Sequence, residues 1–277
     1  MDLEHHQIEL RYEALRQRDP RRERQILASL AERGQLCPVV VLPAEPGDTY
    51  VLLDGYKRLR ALKRLRRDLA QATVWTLGEA EALLLERLMR TSRRESPFEQ
   101  GWLLQELRDR FELSMGELGR RFDRTPGWVS RRLALVRELP AAVQDLVRAG
   151  RLAPDTAMKV LAPLSRGNAA DLQKIAEALA RAQLSTREAA ALQAGWLKGN
   201  DQVRARILED PRLFLRVLQE DPAALGGDLK ALSAVARRAL ARAGGEAALS
   251  IPPRVFRQAQ SDCQALFIRL EKETDHA

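Results

Sequence analysis

The sequence predicts an α+β protein, in which a small α/β domain precedes a long region that is entirely helical. Two observations support this prediction. Runs of β-branched and aliphatic residues with the length of a strand, such as PVVVL (38–42) and TYVLL (49–53), occur before residue 79. After that residue, apolar side chains recur at the helical spacing of three and four. The predicted domains are residues 1–92, 93–197 and 198–277, the last as a helical C-terminal segment.

The first domain alternates strand-like and helix-like segments. PVVVL is expected to pair with TYVLL across a loop rich in proline and glycine, and the polar stretch RTSRRESP (90–97) is the expected domain boundary. The predicted elements are, in order, a strand at IEL (8–10), a helix around 20–33, the two strands just named, a basic helix after Gly55, and a strand at ATVWTL (72–77).

The stretch LLDGYKRLRALKRLRRD (52–68) combines a strand end, a glycine and a basic amphipathic helix. The helix is expected to bury the leucines that recur every three or four residues, which are Leu59, Leu62, Leu65 and Leu69. A strand–glycine–helix junction exposes backbone N–H groups and a positive helix dipole, which together bind anions such as phosphate. A solvated basic face is the alternative reading of the same residues.

Composition favours a nucleic-acid partner. The chain has 277 residues, and 46 Lys plus Arg against 38 Asp plus Glu give a formal net charge of +8. Three histidines and two distant cysteines give no metal-binding or redox motif, and Cys37 is expected to be a small buried residue. The sequence shows no secretion signal and no apolar span long enough for a membrane, so a reduced, cytoplasmic protein is expected.

The region after residue 79 reads as a series of helices. A further amphipathic helix is expected at 254–273 after a linker at 244–253, and it is a candidate dimerisation element. Its apolar face consists of Val255, Phe256, Ala259, Cys263, Leu266, Phe267 and Leu270. The other predicted helices are 79–90, 97–111, 114–122, 126–137, 140–149, 153–162, 168–182 and 186–195, with more to about residue 243.

Residues 113–139 predict a helix-turn-helix. Ser114 and Glu117 form a capping box, Gly119 allows close approach of two helices, and Thr125 caps the second helix. The early residues of that helix are the candidates for reading bases, and they are Thr125, Trp128, Ser130, Arg131 and Arg132. The candidates for phosphate contacts are Arg120, Arg121 and Arg124. Arg131 and Arg132 cannot both face the groove equally, and a helical hairpin that contacts only protein is the alternative.

Three segments in this order resemble the ParB family of partition and regulatory proteins over roughly residues 5–195. They are ERGQLCPVVV (32–41), DGYKRLRAL (54–62) and RTPGWVSRRLALVRELPAAVQDLVRAGRLAPDTAMKVL (124–161). The resemblance implies a ParB-like N-terminal domain, also similar to sulfiredoxins, that binds CTP with Mg²⁺ and closes as a clamp on DNA. The residues that would hold the nucleotide are Arg16, Gly55, Tyr56, Lys57, Arg58, Glu86 and Arg90.

The second nucleotide motif departs from the family. In ERLMR (86–90), Glu86 and Arg90 match the motif, while Arg87 stands where the family has an asparagine that supports Mg²⁺. Nucleotide binding with little turnover is therefore one expectation. A weak CTPase, with Glu86 as its catalytic candidate, is the other, and no metal-ligating residues are assigned.

The resemblance implies a homodimer that binds a palindromic site in double-stranded DNA, together with a ParA-type ATPase partner. Its expected role is partition, maintenance or regulation of a plasmid, mobile element or chromosome. A nucleotide-independent helix-turn-helix repressor is the main alternative. A small-molecule phosphotransferase with Asp54 as base, or a sulfiredoxin-like enzyme, is less favoured, because the glycine turn carries Tyr56 and no thiol.

Overall fold

The structure is a computed structural model that describes residues 1–44, 47–90, 95–165, 169–220, 229–235, 254, 257–264 and 267. The chain divides into two compact units, Met1–Leu215 and Arg216–Ala277. None of the described helices has the length and apolar character needed to span a membrane. The predicted α+β fold class is confirmed, whereas the domain boundaries after residues 92 and 197 stay predictions.

Five strands form one mixed sheet in the order β1-β5-β3-β4-β2. The strands are β1 (Asp2–Glu4), β2 (Ile8–Glu9), β3 (Val39–Ala44), β4 (Thr49–Asp54) and β5 (Leu69–Val74). The predicted pairing of PVVVL with TYVLL is confirmed, because β3 and β4 are antiparallel partners. The β3–β5 and β2–β4 pairs are parallel, and the β1–β5 pair is antiparallel. The central strands β3 and β4 are thus supported on both edges.

Three helices accompany the sheet, and they are α1 (Pro20–Arg33), α2 (Tyr56–Arg64) and α3 (Glu79–Met89). α1 begins at Pro20 because the Asp19 side chain accepts a hydrogen bond of 3.0 Å from the Arg22 amide. α1 and α2 pack against each other, and their buried apolar faces include Leu30, Leu59 and Leu62. The helix predicted around 20–33 is confirmed.

The expectation that Leu69 belongs to the buried face of the basic helix was wrong. α2 ends at Arg64, and Arg66 adopts a positive φ of 53° that turns the chain away from the helix. The Arg67 amide then donates to the Leu62 carbonyl at 3.0 Å, which closes the helix end. Leu69 therefore starts β5, with 51% of its surface exposed. For the same reason, the strand predicted at 72–77 begins three residues earlier.

The remaining described elements are helical. They are α4 (Pro97–Asp109), α5 (Met115–Arg121), α6 (Pro126–Glu138), α7 (Ala141–Arg148), α8 (Pro154–Thr156), α9 (Ala169–Ala182), α10 (Thr186–Lys198), α11 (Asp201–Glu209) and α12 (Pro211–Glu220). The segment predicted as one helix at 153–162 is irregular, because α8 passes into a wide π turn at Ala157–Leu161 and a 3₁₀ turn at Ala162–Leu164. Every other helix predicted between 79 and 195 has a matching helix here.

The C-terminal region is described only in pieces. Residues 229–235 and 257–264 are helical, in agreement with the helices predicted there. Four positions of the predicted dimerisation face, Val255, Phe256, Leu266 and Leu270, lie outside the described residues. Dimerisation through this helix therefore stays a prediction.

The closest approach between α5 and α6 depends on Gly119. A Cβ atom at this position would lie 2.8 Å from the Arg124 carbonyl oxygen and 3.6 Å from the Pro126 nitrogen. Gly116 lies on the same helix, and a Cβ atom there would meet only the end of the Arg120 side chain at 3.9 Å. The two glycines therefore form a matched pair for testing the helix-turn-helix packing.

We expect Gly119→Ala to lower the free energy of unfolding by about 1–3 kcal/mol, because the added methyl group is forced against backbone atoms. Gly116→Ala is expected to be neutral or to add up to about 1 kcal/mol, since alanine favours the helix. Urea denaturation followed by circular dichroism measures both changes. Equal effects of the two substitutions would contradict the packing described for α5 and α6.

Candidate nucleotide pocket and DNA-binding surface

A cavity of about 460 Å³ opens beside the junction of β4 and α2. Its volume is in the range of small-molecule sites, which is roughly 300–1,000 Å³. Its walls come from the segment before α1, from α1 itself, from the loop before β3, and from the end of α3. All the residues predicted to hold a nucleotide line it, namely Arg16, Gly55, Tyr56, Lys57, Arg58, Glu86 and Arg90. The fold thus brings together residues that are up to 74 positions apart in the sequence.

Gly55 makes the sharp turn from β4 into α2. Its φ is 107°, and a Cβ atom would lie 2.6 Å from Val39 Cγ1 and 3.2 Å from Val39 Cα. Both the backbone conformation and the close approach to β3 therefore require glycine. No side chain caps the first turn of α2. The N-terminal amides of α2 can consequently donate to an anion in the cavity.

The floor of the cavity holds a buried carboxylate. Glu86 Oε2 accepts hydrogen bonds from Arg16 Nη2 at 2.5 Å and from Arg90 Nη2 at 2.7 Å, and only 5% of the Glu86 side chain is exposed. Burial, opposed by Arg16 and assisted by nearby Asp54, raises the pKa of Glu86 to about 7. This carboxyl group therefore titrates near neutral pH.

Other cations on the cavity wall also hold internal carboxylates. Arg58 pairs with Asp54, four residues earlier, and donates to the Cys37 carbonyl at 3.4 Å. Arg60 bridges Glu13 at 2.6 Å and Glu23 at 2.7 Å. An incoming anion must therefore compete with carboxylates that belong to the protein itself.

The expectation that Cys37 is buried was wrong, because this cysteine is exposed. It lies in the loop before Pro38, and β3 begins only at Val39, so the Cys37 side chain does not enter the sheet. Cys37 lines the cavity instead. The strand pattern in the sequence did not reveal that β3 starts at Val39, two residues after Cys37.

Tyr56 supports the turn from within. Its hydroxyl group donates to the Leu52 carbonyl at 2.5 Å, and its ring is buried. Burial raises the pKa of Tyr56 above its ordinary value. The side chain thus fastens the start of α2 to β4, and its predicted nucleotide contact stays a prediction.

Arg87 has a packing role that the surrounding sequence did not indicate. It is not among the residues that line the cavity. Its Nε donates to Glu95 at 2.8 Å, and its guanidinium lies 4.3 Å from the centre of the Phe122 ring at the end of α5. The Phe122 ring in turn packs against Trp128, with 6.0 Å between ring centres. Arg87 therefore connects α3 to the helix-turn-helix.

The predicted caps of the helix-turn-helix are present. Ser114 Oγ accepts from the Glu117 amide at 3.3 Å, and Thr125 Oγ1 accepts from the Trp128 amide at 3.3 Å. Trp128, in the first turn of α6, is half-buried and packs against the hydrophobic core, and its predicted DNA contact stays a prediction. The predicted DNA-contacting residues that are exposed are Arg120, Arg121, Arg124, Thr125, Ser130 and Arg131.

The structure distinguishes the two consecutive arginines of α6. Arg132 Nε donates to Gln100 on α4 at 2.8 Å, and its guanidinium lies 5.3 Å from the centre of the Trp128 ring. Burial, assisted by Arg131, lowers the pKa of Arg132 from its ordinary value. Arg131 is exposed. Arg132 thus holds α6 against α4, and Arg131 is the better placed of the two to reach DNA.

The fold is thus a small α/β domain with a cation-lined cavity, followed by a helix-turn-helix. Residues 2–88 match the ParB N-terminal domain family. The probable chromosome-partitioning protein ParB of Mycobacterium leprae (strain TN) is 33% identical over 143 residues, which are 50% of this chain and 42% of that protein. The chain therefore spans less than half the length of this relative. The similarity to the ParB family is therefore shown for the N-terminal domain, residues 2–88.

Two solved structures with low overall similarity are C-terminally truncated chromosome-partitioning protein ParB from Caulobacter crescentus. One is complexed to the centromeric parS site, with a TM-score of 0.33 and 18% identity over 70% of this chain and 98% of that chain. The other is complexed with CTP-gamma-S, with a TM-score of 0.31 and 18% identity over 64% of this chain and 96% of that chain. TM-scores of this size do not establish a common overall arrangement.

We expect Glu86→Gln to change how stability depends on pH. Because the pKa of Glu86 is raised in the folded protein, the native state binds more protons than the unfolded chain between the ordinary glutamate pKa of 4.5 and about 7. The stabilisation from this proton is present at low pH and is lost as pH rises through about 7. The variant lacks this dependence.

Relative to the wild type, Glu86→Gln should therefore gain about 1–3 kcal/mol of unfolding free energy between about pH 5 and pH 8. Chemical denaturation at several pH values measures this difference. Curves for the two proteins that run parallel over the whole range would show that Glu86 does not titrate there.

Proposed function

We propose that this chain is a partition protein that binds a palindromic DNA site through its helix-turn-helix and CTP in its N-terminal cavity. The observation that carries the proposal is the convergence of the predicted nucleotide residues on one cavity, around Gly55 and the start of α2. The cavity and the helix-turn-helix lie in the same compact unit. Whether the chain serves a chromosome or a plasmid is also part of the proposal. The name of the matched relative, a probable chromosome-partitioning protein, favours a chromosome.

In this proposal the triphosphate replaces a carboxylate of the protein as the partner of two arginines. The amides at the start of α2, with Lys57 and Arg58, would hold one part of the phosphate chain. Arg16 and Arg90 both donate to the same oxygen atom of Glu86, Oε2. With nucleotide bound, phosphate oxygens would replace that carboxylate as their partner. Because Glu86 would lose two positive neighbours while phosphate approaches, its pKa should rise further.

The residues present do not form a magnesium site of their own. Arg87 donates to Glu95 and is not among the residues that line the cavity, and the Oε2 atom of Glu86 already accepts from two guanidinium groups. Within the part of the chain that the structure describes, no three His, Cys, Asp or Glu residues are grouped to hold a metal ion. We therefore propose a bound ligand with little turnover, and hydrolysis through Glu86 stays a prediction.

Self-association is supported by an apolar row on α3. Leu85, Leu88 and Met89 are 37%, 69% and 60% exposed, and they stand beside Glu86 on the same helix. Exposed apolar rows of this kind are typical of association surfaces. A homodimer would match a palindromic DNA site by its own symmetry. The ParA-type ATPase partner and the nucleoid location remain expectations of the family resemblance.

A nucleotide-independent repressor is the second candidate. The observation that favours it is the internal pairing of the cavity arginines, because Arg16, Arg58 and Arg90 each already hold a carboxylate. The enzyme alternatives receive no such support. Asp54, the base of a phosphotransferase, is paired with Arg58, and Cys37 lies outside the glycine turn.

We expect calorimetric titration to show binding of CTP in preference to ATP, GTP and UTP. Lys57→Ala should weaken CTP binding by at least about tenfold, because it removes a phosphate-facing cation without altering the turn. Gly55→Ser should abolish binding. Gly116→Ala, outside the cavity, serves as the control and should bind as the wild type does.

Absence of binding to all four nucleotides, in protein that still binds DNA, would favour the repressor. Thermal unfolding of each variant shows whether a loss of binding reflects a loss of folding. Lys57→Ala is informative even where Gly55→Ser fails to fold.

We expect Arg131→Ala and Arg120→Ala to affect DNA binding differently. Arg131→Ala should cost about 1–3 kcal/mol on a site selected from random sequences and should relax the preference at one base position. Arg120→Ala should weaken all DNA alike and reduce the salt dependence by about one phosphate contact. Fluorescence anisotropy with selected and scrambled duplexes measures both effects. Equal losses on both duplexes for both variants would contradict the assignment of α6 as the recognition helix.

A further inference from the structure

A second basic groove lies between α1 and α2, outside the helix-turn-helix. It encloses about 190 Å³, and its lining residues are Arg18, Glu23, Leu27, Lys57, Arg60, Ala61, Lys63 and Arg64. Five of these eight side chains are cations, and one is a carboxylate. Lys63 and Arg64 line this groove and are not among the residues of the nucleotide cavity.

The groove has an excess of positive charge. Its carboxylate, Glu23, is shared between Arg18 at 2.8 Å and Arg60 at 2.7 Å. Among the described residues, no ion pair engages the exposed side chains that extend the groove along α2 and its end, namely Lys63, Arg64, Arg66 and Arg67. α1 also carries Arg21 and Arg24, which are exposed. The fold thus concentrates cations that its own carboxylates do not neutralise.

The backbone at Arg66 gives independent support. This arginine has a φ of 53°, a left-handed conformation in which glycine or asparagine is the usual residue after a helix. A side chain with a β-carbon is strained there, so an arginine lowers stability relative to glycine. Like charges three and four residues apart, such as Arg60, Lys63 and Arg64, also repel each other on a helix. The left-handed conformation of Arg66 and the repulsion between neighbouring cations therefore both lower the stability of this region. Both arise from residues that add positive charge to it.

A bound polyanion would be attracted by the same cations that lower the stability of the free protein. From Lys57 to Arg64 the helix rises by roughly 10 Å, at about 1.5 Å per residue. That length matches about three successive phosphates of one DNA strand, which are roughly 3.4 Å apart along the duplex axis. The groove presents cations to this strand, and its one carboxylate, Glu23, is engaged by Arg18 and Arg60.

We propose that the α1–α2 groove, extended by Lys63, Arg64, Arg66 and Arg67, is a second DNA-contact surface that binds the phosphate backbone of duplex DNA irrespective of sequence. It goes beyond the proposed function, in which the helix-turn-helix alone contacts DNA. The chain would then bind DNA at two surfaces. The helix-turn-helix would contact bases, and the groove would bind only the phosphate charges.

The test compares two double variants of the full chain with the same change in charge. Lys63→Gln/Arg64→Gln neutralises the groove, and Lys198→Gln/Arg206→Gln neutralises exposed cations on α10 and α11. Affinity for a duplex that lacks the selected site is measured between about 50 and 200 mM salt. We expect the groove variant to lose about tenfold in affinity at the low-salt end and to flatten the salt slope by about two. Its base preference and CTP affinity should be unchanged.

Equal salt slopes for the groove variant, the control variant and the wild type would overturn the proposal and leave the groove as a solvated surface. This result is distinguishable from failure of the helix-turn-helix assignment, which the response to Arg120→Ala and Arg131→Ala reports. A protein that binds no duplex at all would overturn both.

Arg66→Gly gives a second readout. Because glycine relieves the left-handed strain, we expect a higher midpoint of thermal unfolding together with weaker binding to the non-specific duplex. A purely structural role for the basic face predicts the same gain in stability with unchanged DNA affinity, and that outcome would also overturn the proposal.

Discussion

The buried ion triad of Arg16, Glu86 and Arg90 is the interaction on which the cavity beside Gly55 depends. It joins the segment before α1 to the end of α3, and it keeps two guanidinium groups beside the glycine turn at Gly55. A buried carboxylate without such partners would be costly, so the triad holds the cavity residues in place in the absence of a ligand. The same pairing sets the condition for binding, because an anion must displace Glu86 from its arginines.

A continuous series of contacts leads from this triad to α6. Arg90 and Arg87 both approach Glu95, Arg87 lies over the Phe122 ring, and Phe122 packs against Trp128 at the start of α6. The replacement of an expected asparagine by Arg87 therefore has a structural explanation. The position that would support a metal in the family resemblance carries a contact between the two functional regions in this chain.

The sequence was most informative where local rules decide the structure. The left-handed turn at Gly55 and the caps at Ser114 and Thr125 follow from residue type, and they are present. The errors arose where distant contacts or backbone details decide. Leu69 fits a helical repeat, yet the turn at Arg66 ends the helix first. The difference between exposed Arg131 and half-buried Arg132 involves Gln100, which is 32 positions away and which helical periodicity does not reveal.

The most direct test of the anion exchange is the number of protons taken up when CTP binds. Calorimetry at about pH 8, in buffers with low and high heats of ionisation, should show proton uptake, because Glu86 loses Arg16 and Arg90 as phosphate approaches. The buffer dependence should disappear in Glu86→Gln. CTP binding with the same heat in both buffers would contradict the account, since Glu86 would then have kept its arginines.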